Sequence, residues 1–299
     1  MSHRTTDPAC LRYRRPTSRL ALWWHNAWSI IAAMLLQSGL RALLSYRLFP
    51  DSQQRPARDG AISREFLGFS RFVMVSSALA LIIGQTDKVV LGRVFTLSEF
   101  GVYAIALTIA SAPVAFAESY INRIVFPVCA RTWREMPDQL ASVYYNVRRR
   151  AGALYGFACG GLIGSAGFLI ALLYDPRYAA ASTYVSLLAI GTALRLPNAA
   201  AAQLMVAVGQ VQKTMHMTMV RLLWLLAAVP LGLAVVGPIG VIAAIGLMEV
   251  PATIYCWVLL RRIGVLELRN ELAFLGIVAA GAAIGWAGGS ELLRLFPHL

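Results

Sequence analysis

Charge is scarce in this chain, and lysine scarcer still. Asp, Glu, Lys and Arg make up 14% of the 299 residues, where a soluble domain carries about a quarter. Lys88 and Lys213 are the only lysines, so the net charge of +13 rests almost wholly on arginine. Cysteine is sparse as well. Cys10, Cys129, Cys159 and Cys256 form no CxxC pair and no metal-ligand spacing, so they read as small apolar residues or loop thiols. His3, His25, His216 and His298 are too scattered for a metal cluster. These shortages leave no signature of a metal centre, a covalent nucleophile or a cofactor.

What fills the chain instead is apolar: 58% of residues are hydrophobic and the mean hydropathy is +0.64. The apolar residues gather into runs of about 20, the length that crosses about 30 Å of hydrocarbon. In that medium the backbone must satisfy itself, as a helix or a closed barrel. Barrel strands alternate polar and apolar residues over about ten positions, and these runs do not. The expected fold is therefore an all-α membrane protein, a polytopic transmembrane bundle of about eight helices. The candidate spans are 20–44, 66–85, 100–120, 151–173, 181–208, 217–236, 239–260 and 272–289. Gly237-Pro238 leaves so short a turn that the sixth and seventh spans should form an antiparallel hairpin. Gly160, Gly161, Gly164 and Gly167 lie near one face of the fourth, which permits close helix–helix approach.

In a soluble chain so basic a balance would suggest nucleic acid, but here the arginines sit mainly in alternate loops, and nucleic acid is not expected as a partner. One set of loops holds Arg47, Arg55, Arg58 and Arg64, then Arg123, Arg131, Arg134, Arg148, Arg149 and Arg150, then Lys213, then Arg261, Arg262 and Arg269. The opposite loops and tail hold Lys88, Arg93, Arg177 and Arg294. By the positive-inside rule the first set faces the cytoplasm. Residues 136–150 (MPDQLASVYYNVRRR) read as an amphipathic helix on the inner leaflet, its arginines toward anionic headgroups. Trp23, Trp24 and Trp28 read as headgroup-level anchors of the first span. The arm 1–19, with Arg4, Arg12, Arg14, Arg15 and Arg19, falls by parity on the outer side, where five arginines are hard to translocate. It is not a signal peptide, since the apolar run is long and no cleavage site follows. Either helices that once preceded the first span are missing, or the first helix is re-entrant or inverted.

Residues 84–113, GQTDKVVLGRVFTLSEFGVYAIALTIASAP, carry a more specific pattern: Asp87 at a helix end, Leu91-Gly92, then Glu99, Gly101 and Tyr103 as E-x-G-x-Y, and Pro113 ten residues on. The stretch resembles the segment that opens the C-terminal lobe of O-antigen and exopolysaccharide flippases, members of the multidrug/oligosaccharidyl-lipid/polysaccharide exporter superfamily. Residues 173–210, LYDPRYAAASTYVSLLAIGTALRLPNAAAAQLMVAVGQ, resemble a later outer turn and helix of those proteins, and RALLSYRLFP at 41–50 resembles the end of their N-lobe. The resemblance covers roughly residues 25–290 and implies translocation of lipid-linked oligosaccharide units of the undecaprenyl-diphosphate type across the cell inner membrane, in a multi-pass protein that is not an enzyme. It further implies membrane lipids, a polysaccharide polymerase and assembly proteins as partners. It divides the chain into a basic arm 1–19, the last N-lobe helix 20–50, a cytoplasmic loop 51–65, a C-terminal lobe 66–289 and a tail 290–299. Those proteins carry two six-helix lobes around a cavity; this chain shows one lobe and one helix of the other.

A diphosphate and a glycan need a hydrated path, and ionisable residues inside spans mark where one could run. Arg195 lies near mid-span, followed by Pro197, which cannot donate a backbone hydrogen bond, and Asn198. Arg195 and Asn198 are the first candidates for the path, and Arg71 and Arg221, near the cytoplasmic ends of their helices, the next. Arg41 reads as an interface anchor. Glu249 at mid-span, Glu118 near an inner end and Asp87 are candidates for coupling or charge pairing, with Lys88 beside Asp87 as a possible counter-ion. Glu99, Gly101 and Tyr103 read as shaping the start of the third span. Alternative functions are a drug/cation exporter or a peptidoglycan-precursor flippase of the same superfamily, a membrane-embedded polysaccharide polymerase or acyltransferase, and a non-transporting remnant. An exporter of cations would favour a cavity rich in acids, and the enzymes would need a large outer loop or a His/Asp/Glu cluster.

Overall fold

A computed structural model describes residues 34–41, 43–44 and 60–295, and the chain forms two compact units, Met1–Gly60 and Ala61–Leu299. In the first unit residues 34–41 and 43–44 are helical. The arm 1–19, Trp23, Trp24 and Trp28, most of the first candidate span and most of the loop 51–65 lie outside the described residues.

From residue 60 on, the described residues form helices joined by short turns, with no strand among them: α1 (Gly60–Val94), α2 (Leu97–Ser111), α3 (Val114–Tyr120), α4 (Phe126–Glu135), α5 (Leu140–Leu173), α6 (Ala180–Ala207), α7 (Val211–Val236), α8 (Pro238–Gly246), α9 (Glu249–Arg262) and α10 (Leu268–Leu295). A π-helical turn, Ile121–Val125, joins α3 to α4. Grouped by continuity they make seven segments long and apolar enough to cross a membrane, so the chain is a multi-pass membrane protein.

Two spans are interrupted in mid-course, and each break follows from proline. Pro113 has no N–H to continue α2, and the Thr192 hydroxyl takes up the Ala110 carbonyl there at 2.9 Å. Pro251 likewise separates α8 from α9 at Leu247-Met248. By contrast Pro197 is accommodated, and α6 runs unbroken through it.

α6 is the hub. Its Ala-rich sequence, with Gly191, lets α2, α5, α8 and α9 pack around it. Gly191 and Gly246 show the closeness required: a Cβ on Gly246 would collide with the Leu187 carbonyl. α5 and α10 pack along glycine too, through Gly160 and Gly164, whereas Gly167 faces open space. The α7–α8 hairpin turns on Gly237 at φ +75, with Pro238 opening α8. One apolar cluster, around Tyr144, Leu196 and Met217, fills the arginine-rich half; a second, around Tyr103, Val185 and Ile242, fills the other.

Helix lengths depart from the sequence expectation at the arginine-rich side. Residues 140–150 are not a separate surface helix but the first three turns of α5. They are held because Arg148 turns inward to an ion pair with Glu271 of α10 at 2.6 Å, under the Tyr144 and Tyr145 rings. Arg148 is therefore a buried structural residue rather than a loop charge. The third span continues through the π-turn to Glu135, and the helix carrying Arg221 begins at Val211. Glu118 and Arg221 consequently lie well inside their spans, not near the ends.

Candidate functional site

The break before α9 places Glu249 in that helix's first turn, where the helix dipole favours an anion. The residue is 1% exposed, and a lone carboxylate there would be costly. It is not alone. Arg221 of α7 donates to its Oε2 from Nε at 3.1 Å and Nη2 at 2.8 Å. Arg195 of α6 reaches its Oε1 at 3.4 Å, and the Asn198 amide donates to Oε2 at 2.7 Å. Asn198 and Arg195 are three residues apart on α6 and so share a face. The Asn198 amide also donates to the Glu249 carbonyl at 3.0 Å, and the Thr253 hydroxyl reaches that carbonyl at 2.8 Å and Asn198 Oδ1 at 3.0 Å. Arg195 has a second acid, Glu118, at 3.6 Å, and Glu118 is half-exposed. Two cations and two carboxylates from four candidate spans thus meet within the helical bundle.

Two cavities border this cluster. One of about 330 Å³ is walled by Arg195, Arg221, Asp87, Lys88, Thr86 and Thr218 among others. The second, about 250 Å³, lies against Arg195, Glu249, Thr192 and Ser111. Arg195 belongs to both, and with its guanidinium side chain 38% exposed it is the more accessible of the two arginines.

Asp87 accepts a hydrogen bond from Tyr103 at 2.8 Å, so among the described residues its partner is Tyr103 rather than Lys88. Its Oδ1 is buried and has no partner among the described residues. Glu99 closes a capping box with Thr96 at the start of α2. The E-x-G-x-Y stretch therefore fixes the α1–α2 corner: Glu99 starts the helix and Tyr103 ties it back to α1. Arg71 is not brought to the cluster. It is exposed, with its guanidinium over the adjacent Phe72 ring at 4.7 Å. Thr253, Thr192 and Tyr155 were not singled out from sequence. Tyr155 donates to the Thr192 carbonyl at 2.6 Å, and hydroxyl residues in apolar runs carry no signal that separates such roles from ordinary packing.

Residues 17–183 match a family model described as polysaccharide biosynthesis protein. The match takes in Asp87, Tyr103 and Glu118 and stops short of Arg195, Arg221 and Glu249. No curated protein and no solved structure matches the chain.

Proposed function

The chain belongs to the polysaccharide biosynthesis protein family, and on that premise we propose that it moves lipid-linked oligosaccharide units, of the undecaprenyl-diphosphate type, across the cell inner membrane. The observation that carries this reading is the unequal hold on the two arginines. Arg221 grips Glu249 at 2.8 Å. Arg195 sits at 3.4 Å and 3.6 Å from its two acids, and Glu118 is 54% exposed. A diphosphate in the cavity can draw Arg195 into a bidentate contact, while Arg221 keeps the buried Glu249 neutralised. Glu249 then keeps its counter-ion during the exchange, and the carboxylate that Arg195 leaves, Glu118, is half-exposed. Asp87, on the wall of the same cavity with one oxygen unpartnered among the described residues, is the proposed site for a coupling proton or sodium ion. The arginine-rich loops face the cytoplasm in this reading, and residues 66–289 act as one lobe of the transporter, with residues 20–50 contributing to the other.

The test is restoration of surface polysaccharide in a strain lacking its flippase, with the chain supplied alone and joined to a complete N-lobe. Arg195→Ala is expected to abolish restoration with the protein still inserted. Arg195→Lys keeps the charge but loses the planar fork and is expected to retain part of it. Full restoration by Arg195→Ala would reduce the residue to a structural role.

A further inference from the structure

α5 and α10 touch backbone to backbone over one stretch and part over another. A Cβ added at Gly160 would collide with the Val278 carbonyl, and one at Gly164 with the Ala282 carbonyl. Toward the arginine-rich end the bulky Phe274 ring lies against Gly152 and Gly156, and a groove of about 200 Å³ opens between the helices. Its polar end is bordered by Arg148, Arg149 and Asn270, and its apolar floor by Ala153, Phe274 and Ile277.

The charges around the groove are not balanced. Arg148 is neutralised by Glu271 at 2.6 Å; the Glu267 carboxylate, which accepts from the Asn270 amide at 2.5 Å, offsets only one of the two arginines that follow Arg148. Arg149 is exposed, and among the described residues it makes no ion pair. Arg150 follows it. Ala153 stands one helical turn, about 6 Å, deeper than Arg149, and Ile277 two turns, about 10 Å, beyond Asn270. Along the helices the groove therefore passes from a cationic rim to an apolar floor, the polarity profile of a phospholipid lying beside a membrane protein. Basic clefts between spans are suited to anionic headgroups.

We propose that this groove holds an anionic phospholipid, its phosphate at Arg149 and an acyl chain along Ala153, Phe274 and Ile277. The site is separate from the Arg195 cavities and does not depend on what the chain transports.

Native mass spectrometry of the full chain, released from micelles doped with phosphatidylglycerol or phosphatidylcholine, tests this. The parent should retain phosphatidylglycerol in preference. Arg149→Ala should lower that retention about fivefold, and Arg149→Lys should keep most of it. Ala153→Trp, which fills the floor without touching a charge, should abolish it, so that the proposal does not hang on one variant's folding. Arg134→Ala, an exposed arginine on the same side, should change nothing. Equal retention of the two lipids by the parent would overturn the proposal, as would unchanged phosphatidylglycerol in both Arg149→Ala and Ala153→Trp. So would a parental dimer dispersed by Ala153→Trp, which would assign the groove to a second copy of the chain.

Discussion

Replacing Glu249 by glutamine removes one charge and leaves the side chain's outline almost unchanged. The amide oxygen can still accept from Asn198, and the backbone contacts to Asn198 and Thr253 survive, since they use the Glu249 carbonyl. What disappears is the counter-ion of Arg221, whose side chain is 18% exposed. Removing one partner of a buried pair costs about 3–5 kcal/mol. The Arg195 share of that figure is discounted, because this side chain is more than a third exposed and keeps Glu118. The expected loss is therefore at the low end, about 3 kcal/mol. Changing both partners, as Glu249→Gln with Arg221→Met, should recover most of it, because a neutral, well-packed pair has no charge to strand. Equilibrium unfolding of the purified protein in mixed micelles reads both numbers. A single variant within about 0.5 kcal/mol of the parent, or a double variant no better than the single, would refute the reasoning.

Tyr103→Phe takes away the one hydrogen bond Asp87 makes among the described residues and leaves its buried carboxyl with neither oxygen partnered by them. A loss of about 1–3 kcal/mol is expected in the same unfolding measurement, and an unchanged stability would mean that the α1–α2 corner is held by something else. The membrane topology is open to cysteine labelling, since Cys129, Cys159 and Cys256 are buried. With Cys10 replaced by serine, a cysteine at Leu97 (91% exposed) or Arg177 should react with an impermeant reagent on intact cells, and one at Arg134 or Arg269 only after permeabilisation. The reverse pattern would invert the orientation.

The membrane class and the span order were legible because they rest on local properties, the length of apolar runs and the loops between them. The α7–α8 hairpin was legible for the same reason, from Gly237-Pro238. Helix ends on the arginine-rich side were not. Residues 140–150 look like a surface helix until Glu271, more than a hundred residues away, draws Arg148 inward and makes them part of α5. Missing those extensions set Glu118 and Arg221 too near the helix ends, where an arginine can reach water by its own length. Farther along their helices, inside the bundle, both meet partners. Arg195, Asn198 and Glu249 stood out singly, by charge or by neighbouring proline. That they converge on one carboxylate, and that Arg71 stays apart, depends on how α6, α7 and α9 pack, which no short stretch of the chain encodes.

The most direct test of the proposed transport is movement of a fluorescent polyprenyl-diphosphate oligosaccharide across proteoliposomes containing the full chain, followed by quenching from outside. Translocation above that of empty vesicles is expected for the parent, reduced in Arg195→Lys and at the empty-vesicle level in Arg195→Ala. A parent no faster than empty vesicles, or an Arg195→Ala protein as fast as the parent, would contradict it.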